Sequence, residues 1–304
     1  MDIETIITGI GEQNSRAIAK AISLVEDGAP EAERLLASLD TAPIHGAMVL
    51  GITGAPGAGK STLTDKLIAH CREKNKRVGV IGVDPSSPLT GGAIHGDRVR
   101  MMQHALDEDV VIRSMATRGR LGGLCASAGA VARIMAASGC DPVIIETVGV
   151  GQSEMDIIRI ADVTALVSAP GLGDDIQALK AGLLEVADLM VVNKADKPGA
   201  DILSMELREA VEDREGRVLE TIASKDEGVA ELLQAMRDVF DRNAQSGERD
   251  RRRREARRAE VVDWSLEMLR PYLQRMVEQE EVLTGDPRNR ARAIVDRLTR
   301  SDNG

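Results

Sequence analysis

The stretch Gly54-Ala55-Pro56-Gly57-Ala58-Gly59-Lys60-Ser61 constrains this chain more than any other. It follows an apolar run, Met48-Val49-Leu50-Gly51-Ile52, and opens a segment from Ser61 to His70 that reads as a helix. Glycines at these spacings let backbone N–H groups converge on phosphate oxygens, and the helix N-terminus behind them adds its positive dipole end. Strand, glycine-rich turn and helix in this order form a phosphate cradle. Lys60 is expected to reach the β- and γ-phosphates, the Ser61 hydroxyl to ligate Mg²⁺, and Thr62 to support the α-phosphate.

Further short runs rich in β-branched residues, Val78 to Val83, Pro142 to Ile145, Val163 to Val167 and Leu189 to Val192, alternate with helical segments. That order predicts an α/β fold: a mainly parallel sheet flanked by helices, with ligands at the carboxyl ends of its strands. Ahead of it, Ile18, Ala21, Ile22 and Val25, then Ala32, Leu35, Leu36 and Leu39, recur at helical spacing and predict two amphipathic helices split near Gly28-Ala29-Pro30. After Gln245 comes the basic run Arg249 to Arg258, then Val261, Trp264, Leu266, Leu269, Leu273 and Met276. The expected organisation is an N-terminal helical extension over 1–45, a nucleotide-binding domain over 46–245 and a C-terminal helical arm over 246–304. A basic cluster can indicate nucleic acid or anionic lipid, but the interspersed acids fit a solvated helix face or a partner interface better.

Composition narrows the partners. Of 304 residues, one is Trp, one Tyr and one Phe, which leaves almost no aromatic surface for stacking bases. A net charge of -10 opposes a nucleic acid backbone, so no nucleic acid partner is expected. Cys71, Cys125 and Cys140 form no C-x-x-C pair and read as buried reduced thiols. The N-terminus has no basic region ahead of an apolar stretch, and no apolar run approaches the roughly 18 residues of a membrane span. A cytoplasmic protein without a membrane partner is expected.

Two acids at strand ends, Asp84 and Glu146, would complete a Mg²⁺ site, directly or through water, and Asp97 is a third candidate. Glu146-Thr147-Val148-Gly149 has the spacing of a phosphate-sensing turn, in which the Gly149 N–H binds the γ-phosphate, although Glu stands where Asp is commoner. No glutamine directly follows Gly149, so hydrolysis is expected to be slow without a partner. Asn193-Lys194-Ala195-Asp196 sits at the end of another apolar run and selects guanine. The Asp196 carboxylate can accept from guanine N1–H and the exocyclic amine, whereas adenine presents an acceptor at N1. Asn193 would contact the other edge, the Lys194 stem would cover the ring, and Ala223-Ser224-Lys225 resembles the loop that supports guanine at O6. The expected ligands are GTP and GDP with Mg²⁺.

These motifs, together with Val83-Asp84-Pro85-Ser86-Ser87, Gly91 to Arg100, Leu121-Gly122-Gly123 and Glu146 to Glu154, resemble the MeaB/MMAA group of SIMIBI-class P-loop GTPases over about Ala47 to Leu233. The resemblance implies a metallochaperone-like GTPase for an adenosylcobalamin-dependent acyl-CoA mutase, methylmalonyl-CoA mutase or a relative, coupling GTP hydrolysis to cofactor loading or protection. It further implies a homodimer held partly by the C-terminal arm, with the adenosyltransferase that supplies the cofactor as a further partner. By resemblance, Lys180, which shares a helix face with Gln177 after Ala169-Pro170-Gly171, joins Lys60, Asp84, Asp97 and Glu146 in catalysis or coupling. The segment from Arg113 to Arg120 lacks the prolines some members carry, and the C-terminal arm is short, which leaves the mutase open. Two other readings share the phosphate loop: a nickel-insertion GTPase for hydrogenase or urease, and a P-loop kinase or transport ATPase. The scattered histidines His45, His70, His95 and His104 offer no metal cluster for the first, and the guanine-reading tetrapeptide opposes the second.

Overall fold

The computed structural model describes residues 1–84, 104, 106–116, 123–147, 153–172, 182–211, 217–278 and 286–300. Seven strands, β1 (Val49–Thr53), β2 (Val78–Asp84), β3 (Val110–Ala116), β4 (Val143–Thr147), β5 (Val163–Ser168), β6 (Leu189–Asn193) and β7 (Arg217–Thr221), form one sheet in the order β3-β2-β4-β1-β5-β6-β7. Every pairing between them is parallel. The chain builds one side of β1 with β2 to β4 and the other with β5 to β7. The topology therefore switches at β1, and such a switch point leaves a crevice beyond the strand's carboxyl end. The glycine-rich turn emerges into that crevice.

Strands β4, β5 and β6 are buried at every position, as a parallel sheet covered on both faces requires. On one face Leu50, Ile52, Val163, Val167 and Val191 pack against α5 (Lys60–Glu73) and α10 (Val229–Ser246), through Leu63, Leu67, Leu232 and Met236. On the other, Ile81, Val83, Val143 and Ile145 meet α6 (Gly123–Ala137) through Val131, Ile134 and Met135. Further along that face Leu166, Met190 and Val192 meet Leu203 and Leu207 of α9 (Ala200–Val211).

The two helices expected before the sheet are α2 (Ser15–Glu26) and α3 (Glu31–Ala37), and α1 (Ile3–Gly11) and α4 (Thr41–Gly46) flank them. Asn14 starts α2 by accepting from the N–H groups of Arg16 and Ala17, which satisfies two donors that the helix leaves without partners. Ile18, Ala21, Ile22 and Val25 of α2 belong to the same apolar cluster as α6 and the sheet. The N-terminal helices thus share the core of the sheet. The strands β3 and β7 were not read from the sequence. Both lie at sheet edges, where polar residues such as Arg113 and Glu220 interrupt the apolar run that marks a central strand.

A repeated arrangement closes the amino end of the sheet. Asp141, Asp162 and Asp188 stand just before β4, β5 and β6 and accept from the backbone N–H of Met48 (3.1 Å), Val49 (2.9 Å) and Thr164 (2.9 Å). Each carboxylate also meets a cation. Arg253 forks onto Asp162 at 2.7 Å through both Nε and Nη2, Arg252 reaches Asp188 at 2.9 Å, and Lys76 reaches Asp141 at 2.8 Å. Burial pushes the Asp188 carboxyl up, against the pull of the Arg252 charge.

These arginines begin the long helix α11 (Glu248–Glu278), which α8 (Leu183–Val186) precedes and α12 (Pro287–Arg300) follows in the chain. The basic run is therefore only half solvated. Arg251 keeps to the outer face with Glu248 and Glu255, while Arg252 and Arg253 turn inward. Glu260, further along α11, accepts both ends of the Arg133 guanidinium of α6 at 2.6 and 2.7 Å. Cys71 and Cys140 are buried free thiols, and burial pushes Cys71 up to about 11; the Cys125 side chain lies outside the described residues. Among the described residues no helix is long and apolar enough to cross a membrane.

Asp162 is 2% exposed, so its removal strands a guanidinium and an N–H in the interior. Asp162→Ala should lower stability by about 3 kcal/mol, read as a lower midpoint of urea unfolding with an unchanged slope.

Candidate functional site

The phosphate loop joins β1 to α5, and α5 begins at Lys60 itself. The Lys60 Nζ donates to the carbonyls of Gly54 (2.7 Å) and Ala55 (2.9 Å), so two of its three hydrogens hold the ammonium over the loop's own curl. Register places Glu146 of β4 opposite Ile52 of β1, beside the root of the loop. The Ser61 hydroxyl donates to Glu146 Oε1 at 2.6 Å, with both residues buried.

The tetrapeptide expected to read the base lies across the same crevice. Asn193 ends β6 at 2% exposure and makes three hydrogen bonds. Its Nδ2 donates to the carbonyl of Ala58 at 2.8 Å, and its Oδ1 accepts from Thr221 Oγ1 and from the Ala223 N–H, each at 3.1 Å. One side chain thus joins the phosphate loop, β6 and the loop after β7. Gly59 is the consequence. Its backbone sits at φ +92°, and a Cβ there would stand 2.3 Å from Asn193 Nδ2, so a larger residue would break the link.

Lys194, in the left-handed region at φ 57°, donates from Nζ to the carbonyl of Gly57 at 2.7 Å and lays its stem along the loop. Asp196 is met by Lys225 at 3.6 Å and by Lys197 at 3.9 Å. The parallel pairing of β6 with β7 brings Ala223, Ser224 and Lys225 beside Asp196. That places the Asp196 carboxylate and the Lys225 ammonium on the same rim. His70 of α5 pairs with Asp226 at 2.9 Å and ties this rim to the phosphate helix.

The hydroxyl of Ser61 and the carboxylate of Glu146 present hard oxygens side by side, a donor set that suits Mg²⁺ in company with phosphate oxygens and water. Asp84 closes β2, and the β2 pairing with β4 sets Gly82 opposite Glu146, so the strand end lies near that pair. The Asp84 side chain is not among the described residues, and Asp97, Gly149 and Lys180 lie outside them altogether. Ala55, Pro56, Ala58 and Thr62 fall where the motif puts them, in the loop and the first turn of α5.

One residue of this neighbourhood was not singled out from the sequence. Glu154, in the first turn of α7 (Ser153–Ile160), is 7% exposed. Burial pushes its carboxyl up, and the Lys60 ammonium acts in the opposite sense. In the sequence an acid at a helix start carries no special mark, because the helix dipole favours it there in any case.

If the rim reads guanine as its chemistry suggests, Asp196→Asn should weaken GTP binding at least about a hundredfold and improve binding of the xanthosine analogue. Equilibrium titration with both nucleotides measures the exchange.

The comparisons with known proteins agree with this geometry. The family model described as methylmalonyl Co-A mutase-associated GTPase MeaB matches residues 18–280. A Pyrococcus abyssi protein carrying a GTPase name is 45% identical over 264 residues, covering 83% of this chain and 81% of that protein. The GTPase ArgK of Escherichia coli is 38% identical over 266 residues, covering 83% and 79%. The mitochondrial methylmalonic aciduria type A homolog of Caenorhabditis elegans is 34% identical over 217 residues, covering 68% of this chain and 54% of its own. Among solved structures, that of an LAO/AO transport system kinase superposes with a TM-score of 0.69 at 26% identity, covering 98% and 97%. A nickel complex of HypB from Helicobacter pylori, at 16% identity and a TM-score of 0.50 over 74% of this chain and 96% of that one, shares the fold alone. With its family model matched over most of its length, the chain belongs to the MeaB family of methylmalonyl-CoA-mutase-associated GTPases.

Proposed function

We propose that this chain hydrolyses GTP in the service of an adenosylcobalamin-dependent acyl-CoA mutase, loading or protecting the mutase cofactor. The observation that carries the reading is the joining of a phosphate loop to a guanine-type rim through Asn193 in a member of a mutase-associated family. Lys60 would hold the β- and γ-phosphates, and Asn193, Lys194 and Asp196 the base, with Ala223 to Lys225 behind it. Ser61 and Glu146, with Asp84 and Asp97, would hold Mg²⁺, which supplies charge neutralisation between the β- and γ-phosphates. The Gly149 N–H would meet the γ-phosphate, and Lys180 would act in catalysis or coupling.

Catalysis of this kind rests on positioning and charge rather than on covalent chemistry. A partner that orders the water or adds a cation then sets the rate. A homodimer fits the same reading. Val261, Val262, Leu266, Met268 and Leu269 stand exposed along α11, and apolar side chains gathered on one helix of a charged surface favour association.

A cobalamin-dependent acyl-CoA mutase added to the chain should raise GTP turnover about tenfold or more, measured as phosphate release with and without the mutase. Unchanged turnover with every such mutase tried would sink the proposed partnership while leaving the GTPase intact.

A further inference from the structure

The turn that would support the base is held from behind by a residue of the phosphate helix. After β7 the chain makes a single 3-10 turn, Ala223–Lys225, and α5 packs against it. Asp226 closes that turn in the left-handed backbone region at φ 62°. A residue other than glycine costs free energy there and persists where its surroundings hold it, although Asp and Asn tolerate the conformation best. The Asp226 N–H donates to the Ala223 carbonyl at 3.3 Å, and Asp226 Oδ1 accepts from His70 Nε2 at 2.9 Å. An ionised carboxylate only accepts, so Nε2 carries the hydrogen.

Little chain separates this contact from the rim. Lys225, directly before Asp226, meets Asp196 at 3.6 Å, and Ala223 donates to Asn193 Oδ1. Directly after Asp226 the chain bonds back on itself, with the Ile222 N–H donating to the Glu227 carbonyl at 2.9 Å. Gly228 then sits at φ +75°, where a Cβ would stand 2.3 Å from the Glu220 carbonyl oxygen. Residues 222 to 228 form one closed piece of backbone, and the His70 contact sets its position against α5.

We propose that His70 is a positioning residue for base selection: its bond to Asp226 sets where Lys225 and Asp196 stand, and thereby how strongly the rim prefers guanine. The proposal rests on the reading of that rim as a guanine site. Asp196 would accept from guanine N1–H and from the exocyclic amine together, and two hydrogen bonds to one planar edge demand a fixed carboxylate. Without His70, Asp226 loses a partner that offsets its backbone conformation, the turn relaxes, and Lys225 no longer holds the carboxylate to one side. The phosphate loop is anchored separately, through Lys60 on Gly54 and Asn193 on Ala58. Base discrimination therefore falls without an equal loss at the phosphate end. His70 works through Asp226 and touches neither base nor phosphate.

The test measures the affinity of the full chain for GTP, inosine triphosphate and GDP, each with Mg²⁺, in the wild type, His70→Ala, Asp226→Gly and Asp226→Asn. Inosine lacks only the exocyclic amine, so the preference for GTP over inosine triphosphate reads the Asp196 contact, while the preference for GTP over GDP reads the phosphate end. Asp226→Gly keeps the left-handed backbone without the tie. Asp226→Asn keeps both, since its amide oxygen still accepts from Nε2. His70→Ala and Asp226→Gly should each lower the guanine preference about tenfold and leave the GTP-to-GDP ratio at its wild-type value. Asp226→Asn should retain both ratios, and the double variant His70→Ala with Asp226→Gly should lose no more than either single one. An unchanged guanine preference in His70→Ala or Asp226→Gly would overturn the proposal. So would losses that multiply in the double variant, or an Asp226→Asn that behaves as Asp226→Gly does. In each of those cases a wild-type preference for GTP leaves the guanine reading standing, whereas a wild type that does not prefer GTP over inosine triphosphate overturns that reading and the proposal with it.

Discussion

The three hydrogen bonds of Asn193 hold the nucleotide crevice together. Its amide spans 135 residues of sequence to reach Ala58 and also fixes Ala223 beyond β7. Because the side chain is buried, all of these partners leave water together, and losing one would leave a buried polar group unsatisfied. Much of the local geometry follows from this amide: Gly59 has no room for a side chain, Lys194 lies along the loop, and Asp196 stands beside Lys225 on the rim. The glycine-rich loop and the rim formed by the ends of β6 and β7 are one hydrogen-bonded object.

At the opposite end of the sheet, charge does the corresponding work. Asp141, Asp162 and Asp188 each extend the backbone pairing by one bond and take a cation, and two of the three cations come from α11. Buried ion pairs of this kind add little net stability, because desolvation offsets attraction, but breaking one is costly. Their effect is orientation: α11 can dock in one register only. Arg133 with Glu260 adds a further fixed point on α6. The arm that displays the exposed apolar side chains is thereby docked on the domain that would hydrolyse GTP.

Much of the catalytic end was legible in the chain itself. The phosphate loop needs glycines at set spacings and a helix behind them, so its residues can be named without a fold, and the central strands announce themselves as unbroken apolar runs. The edge strands β3 and β7 were not legible, because a half-covered strand carries the polar residues of a loop. The fates of Arg252 and Arg253 were equally hidden. A basic run with interspersed acids has the same pattern whether its inner face meets water or the carboxylates of Asp162 and Asp188, and only packing reveals the difference.

What the sequence determined by itself is the local pattern: a glycine-rich strand–turn–helix loop, an Asn-Lys-Ala-Asp tetrapeptide at a strand end and acids at strand ends, each set by residue type and short spacing. The tertiary structure alone decided which distant groups share a low-dielectric space. Asn193 beneath Ala58 and Arg253 on Asp162 are relations between segments 135 and 91 residues apart, brought together by crossovers whose order no local pattern encodes.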